Sequence, residues 1–170
     1  RRGEPEAALE AARKAEGLLA RSPSHYSTLI AYGAVCEVYL TTAGLSDSAS
    51  GSRRRCRRAC RLLRGYARVF PIGMPRHCCW QGLLYWRSGR RRKAQATWER
   101  GLSAAARLGM GLEEGFASYL LGHHLSEGHA RRIPYLRRAL ATFEEIGARA
   151  EADLARAEMG SAGCPPGRQR

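Results

Sequence analysis

The stretch from Cys78 to Arg107, CCWQGLLYWRSGRRRKAQATWERGLSAAAR, limits the fold more than any other part of the chain. Gly82 and Tyr85 stand three apart before a Ser88-Gly89 break, and Ala94 and Trp98 stand four apart after it. Side chains at those spacings share a helix face, and Ser-Gly is turn chemistry, so the stretch predicts two helices folded back on each other. Small residues let such helices approach, and large ones fill the groove between them. One hairpin cannot bury its apolar side alone, so further hairpins should flank it.

The flanking sequence supplies them. Residues 5–20 are rich in strong helix formers, with Ala8, Ala12, Ala15 and Leu19 as a small-residue stripe. After the Ser22-Pro23-Ser24 break, residues 25–43 predict a helix with Leu29, Tyr32, Gly33, Cys36 and either Tyr39 or Leu40 on one side. Residues 44–52 (GLSDSASGS) have the composition of a flexible loop. Residues 53–70 follow as a helix that turns Cys56, Ala59, Leu63, Tyr66 and Phe70 inward. Its other side carries Arg54, Arg57, Arg58, Arg61, Arg64 and Arg68, a wide cationic face, and Pro71 ends it.

Beyond the central hairpin, which is expected from Arg76, Gly109-Met110-Gly111 is a helix stop. A third hairpin joins residues 112–126, with Phe116, Tyr119, Leu120 and Gly122, to residues 132–146, with Ala139 and Phe143. Pro134 falls in a first turn, where proline is tolerated, and Gly147 is placed as a C-cap. A short helix over 151–159 and a disordered tail over 160–170 complete the chain. The expected architecture is all-α, an array of stacked hairpins over residues 4–159 with no strand.

The chain of 170 residues has 29 Lys and Arg against 15 Asp and Glu, a net charge of +14, and nearly all of its cations are arginine. Such a surface suits nucleic acid, acidic lipid or an acidic protein; the plainer reading is a set of solvated arginine-rich helix faces. No apolar run is long enough for a membrane span and no signal-peptide pattern opens the chain, so a cytoplasmic location is expected. The start, Arg-Arg-Gly-Glu without methionine, suggests a piece of a longer polypeptide.

With Gly33, Gly82 and Gly122 in first helices, Ala59, Ala94 and Ala139 in second helices, and Leu63, Trp98 and Phe143 four residues after the alanines, the chain resembles a tetratricopeptide-type array. Ala59 and Ala94 are 35 residues apart, close to one such repeat. The likeness departs at Cys78 and Gln81, where the pattern has Trp and Leu. A narrower similarity lies in ACRLLRGYARVFPIGMPR, GLLYWRSGRRRKAQATWERGLSAAARLGMGLEEGFASYLLGHHL and LRRALATFEEIGA. These resemble the C-terminal helical region of bacterial signalling proteins that join a class III adenylate/guanylate cyclase to an AAA-type ATPase, the soluble adenylyl cyclase-like group; STAND-type regulators are the near alternative. The resemblance implies a non-catalytic regulatory or scaffolding segment. It also implies that the first helix of each pair lines a concave surface, which brings Arg76, Cys79, Leu83, Trp86 and Arg87 inward, joined by Phe116, Tyr119 and His123.

Direct signs of chemistry are few. The chain has no phosphate-binding G-x-x-x-x-G-K-[ST] loop, and Asp47 and Asp153 stand alone, so no catalytic residue and no cofactor are expected. The six cysteines include no C-x2-C pair, and His123-His124 has no H-E-x-x-H spacing, so no metal site is expected and the cysteines read as buried free thiols, with Cys164 in the tail exposed. Trp98 is expected in the core, while Trp86 is open between core and groove. The expected partner is protein, either another domain of the parent chain or an acidic segment, bound around Arg76, Leu83, Trp86, Arg87, Tyr119 and His123. A basic nucleic-acid-binding domain is the second reading, resting on residues 53–68 with Arg90, Arg91, Arg92, Lys93, Arg131, Arg132, Arg137 and Arg138.

Overall fold

The computed structural model describes residues 4–21, 25–42 and 49–161. Among the described residues there are eight α-helices and no strand: α1 (Pro5–Arg21), α2 (Leu29–Thr41), α3 (Ala49–Val69), α4 (Gly73–Arg87), α5 (Arg91–Arg107), α6 (Gly111–His123), α7 (Arg132–Glu145) and α8 (Arg149–Ser161), with a single 3-10 turn at Tyr26–Thr28. The fold is all-α and built of repeat-like helical hairpins, with α1 and α8 flanking. Two compact units divide it, Arg1–Ala94 and Gln95–Arg170.

Boundaries moved where local chemistry outweighs composition. Ala49 to Ser52 belong to α3 rather than to a loop over 44–52; residues 43–48 lie outside the described residues. Helix α4 starts at Gly73, because Pro75 sits in a first turn where its missing N–H costs nothing. Gly160 and Ser161 continue α8, and the rest of the expected tail, with Cys164, lies outside the described residues.

In the first unit α1 packs on α2, α2 on α3, and α3 on α4. Leu29, Tyr32, Gly33, Cys36, Tyr39 and Leu40 are all buried, so Tyr39 and Leu40 share the role left open between them. Helix α3 buries Cys56, Ala59, Cys60, Leu63, Tyr66 and Ala67, while Phe70 stays half-buried. The Tyr66 hydroxyl donates to the Tyr26 carbonyl at 2.7 Å, and its ring lies so close to Gly73 that a Cβ there would stand 2.6 Å from it. The expected stripe on α1 turns slightly: Leu9, Ala12 and Glu16 are buried, with Ala8, Ala15 and Leu19 half-buried beside them. Leu9 reaches further than an alanine, and Glu16 is held down by the Tyr39 hydroxyl at 2.7 Å and by Arg58 Nε at 2.8 Å.

In the second unit α7 packs on both α6 and α8. Gly111, Gly115, Ser118 and Gly122 recur every three or four residues along α6, which puts them on one face. A Cβ on Gly115 would stand 2.5 Å from the Phe143 ring and one on Gly122 2.7 Å from Leu136. Ala139, Phe143, Ala152 and Ala155 form a core, against which the partly buried Phe116, Tyr119, Leu140 and Ala148 pack.

One device ends three helices. At Gly89, Gly109 and Gly147 the backbone takes a positive φ of 74°, 63° and 70°. The following N–H groups, of Arg90, Met110 and Ala148, return to the carbonyls of Tyr85, Ala105 and Phe143 at 3.0, 3.0 and 2.8 Å. This is the glycine-based C-cap, which satisfies carbonyls that the helix leaves without a partner.

Candidate functional site

Helix α3 places its apolar residues against α2 and α4, so its remaining positions must face water. Arg54, Arg57, Arg58, Arg61, Arg64 and Arg68 are all exposed, as the periodicity predicts. Arg58 is diverted to Glu16. On the other side of the stripe, α3 and α4 enclose a depression of about 1110 Å³ within the first unit. Its lining is Arg53, Arg54, Arg57 and Arg61 from α3, Gln81, Leu84, Tyr85 and Arg87 from α4, and Ser88 and Arg90 from the turn that follows. Six arginines and no carboxylate line it.

Among the described residues none of those six guanidinium groups has an ion-pair partner. Arg87 is close enough to α3 to pull the Cys56 thiol pKa down, against the stronger upward push of burial. Unsatisfied guanidiniums pooled in one hollow raise the local positive potential and attract anions. The Ser88 hydroxyl donates to the Leu84 carbonyl at 2.8 Å, which leaves Gln81 and Tyr85 as the neutral donors of the lining.

Each aromatic ring at this end of α4 carries a cation over it. Arg91 lies over Trp86 with its guanidinium carbon 5.2 Å from the ring centroid, and Lys93 Nζ lies 4.8 Å from that of Tyr85. Arg76 is half-buried and runs along α2, where a Cβ on Gly33 would stand 2.5 Å from its Cδ. Leu83 is half-buried, and Cys79 is 1% exposed and therefore core rather than surface. Of the α4 residues expected on a concave surface, Arg87 alone lines the depression.

Tyr119 and His123 belong to the second unit. Tyr119 is half-buried and packs on the Phe143 core, where burial raises its phenol pKa. Its ring stacks on His123, with centroids 5.4 Å apart. His123 Nδ1 lies 2.7 Å from one oxygen of Glu158, and the other oxygen accepts from Arg132 Nη2 at 2.7 Å. Arg132 is 5% exposed, and its Nε and Nη1 find no acceptor among the described residues. Arg131 pairs with Glu99 at 3.3 Å and Arg138 with Glu114 at 2.7 Å. These three arginines, expected in a free basic surface, are committed to structural ion pairs. His124 stacks on the fully buried Trp98 with centroids 4.9 Å apart, which fixes Trp98 as core.

Cys36, Cys56, Cys60, Cys78 and Cys79 are free and buried. A hydrogen bond to Cys60, then burial, pushes the Cys36 thiol pKa well up, which makes it a poor nucleophile. Among the described residues no group of three His, Cys, Asp or Glu side chains could hold a metal ion. No helix among them is long and apolar enough to cross a membrane.

The sequence puts residues 53–68 and Arg90 in one basic reading and Arg87 on a different, concave surface, whereas the depression brings Arg87 together with Arg53, Arg54, Arg57, Arg61 and Arg90. The signal that unites them is the packing of α3 on α4, which periodicity within single helices does not contain. No family model, curated protein or solved structure matches the chain.

Proposed function

We propose that the chain is a non-catalytic interaction segment that docks an acidic polypeptide segment in the arginine-lined depression between α3 and α4. The observation that carries this reading is the pooling of six guanidinium groups, without a carboxylate among them, in one hollow of about 1110 Å³. Guanidinium forks match carboxylates in pairs, and docking would satisfy donors that the fold leaves to water. The hairpin architecture agrees, since helical repeats present side chains from neighbouring helices as a continuous binding face. A regulatory segment of a cyclase–ATPase signalling protein, with the acidic segment supplied by the parent chain, is the setting this reading suggests.

A twelve-residue Asp/Glu peptide titrated into the full chain tests the reading. The triple variant Arg57→Gln, Arg61→Gln, Arg87→Gln should bind it up to about a hundredfold more weakly, as loss of three solvent-exposed ion pairs implies. Binding that ignores these three residues, or no binding at all, removes the proposal. The second reading, nucleic acid, is supported by Arg64 and Arg68, which prolong the cationic stripe beyond the depression to about 22 Å from Arg53. Against it stands the cation lying over one face of each of Trp86 and Tyr85, which a stacked base would have to displace.

A further inference from the structure

We infer that the depression prefers a phosphorylated segment, one carrying two closely spaced phosphoserines or phosphothreonines, over one acidic only through Asp and Glu. The inference rests on the docking reading above and names the chemistry of its partner.

Charge density decides it. Arg53 and Arg61 stand eight residues apart on the helix, about 12 Å. An extended segment laid along that length turns a side chain to the same face about every 7 Å, which gives about two contacts. As carboxylates, those two carry one charge each against six guanidiniums from both walls. As phosphates, they carry about −1.5 to −2 each and offer three oxygens apiece, enough to engage α3 and the Arg87–Arg90 end together. The lining contains no acid to lower its potential.

Every cationic position of the lining is arginine, as nearly all of the chain's cations are, and the consequence for an anion is geometric. A planar fork takes two oxygens of one phosphate at once, whereas an ammonium group acts as a point charge. A nucleic acid would bring phosphates at similar spacing, but with bases that need aromatic faces. At Trp86 and Tyr85 one face of each ring already carries a cation, Arg91 or Lys93.

The test uses the full chain and three fluorescent probes: a peptide with two phosphoserines two residues apart, the same peptide with glutamate at both positions, and a single-stranded oligonucleotide of equal charge. The phosphopeptide should bind about tenfold or more tighter than its glutamate twin. In Arg57→Lys, Arg61→Lys, Arg87→Lys the net charge stays and the forks go, so that preference should shrink to about twofold. Arg138→Gln, in the second unit and paired there with Glu114, should leave it unchanged, and circular dichroism checks that each variant is folded. Equal affinity for the two peptides overturns the phosphate preference and leaves the docking reading standing. Failure of both peptides overturns both. An oligonucleotide that binds at least as tightly, with the same dependence on Arg57, Arg61 and Arg87, overturns the inference in favour of nucleic acid.

Discussion

Residues 1–94 contain 19 Lys and Arg against 6 Asp and Glu, whereas residues 95–170 contain 10 against 9. The same side chain therefore has two occupations. In the second unit four arginines are structural: Arg131, Arg132, Arg138 and Arg156 each meet a carboxylate. In the first, six arginines share a hollow with no carboxylate in its lining. Arginine-rich composition carries no function by itself. What matters is whether the fold brings acids to the guanidiniums, and here it does so in one unit and withholds them in the depression of the other.

The strongest way to break this contrast is to remove a partner. Glu158→Ala leaves the buried Arg132 guanidinium without its carboxylate and should cost about 3 kcal/mol, read as lost hydrogen-exchange protection in α6 to α8. Arg57→Gln, at an exposed position without an ion pair, should stay within about 0.5 kcal/mol in the same measurement on α2 to α4. Similar costs for the two would erase the distinction.

Glycine sharpens it next. Gly115→Ala drives a methyl group into the Phe143 ring and should destabilise the second unit by about 1–3 kcal/mol in urea titration. Gly65→Ala, on α3 with nothing within 4 Å of the new Cβ, should instead stabilise by about 0.5–1 kcal/mol. A stabilising Gly115→Ala would mean that α6 and α7 do not approach as described.

Alkaline pH separates the units more gently. The Cys36 and Cys56 thiol pKa values are raised in the folded chain, so their contribution is whole below the unfolded value of about 8.5 and is lost as pH rises through the folded values. Each thiol can cost at most about 1.4 kcal/mol per pH unit in that window. The raised Tyr119 phenol of the second unit begins to act only above about pH 10. Urea titrations under reductant at about pH 7.5 and about 9.5 should therefore weaken α2 and α3 before α6 to α8; simultaneous loss would contradict the assignment.

Much of the architecture was legible because its signals are local. Gly89, Gly109 and Gly147 mark helix ends through a backbone conformation that suits glycine, and Ala94, Trp98, Ala139 and Phe143 mark buried faces by spacing alone. The depression was not legible in the same way. Four of its lining residues come from 53–61 and six from 81–90, and amphipathicity says which side of a helix is wet without saying what lies across from it. Ion pairing failed for a related reason. Arg131, Arg132 and Arg138 read as free charge because Glu99, Glu158 and Glu114 stand 32, 26 and 24 residues away in sequence.

Glu16 has a consequence for how α1 finds its place. Ala12 on the packed side is nearly featureless, and an alanine-rich helix can slide along its neighbour by a turn at little cost. Such a slip would bring Ala12 or Ala20 to where Glu16 stands, and the Tyr39 hydroxyl would lose its acceptor and Arg58 its ion-pair partner. The carboxylate therefore works as an index pin: it adds little adhesion but admits one axial position, so that a helix poor in shape is still docked in a single register.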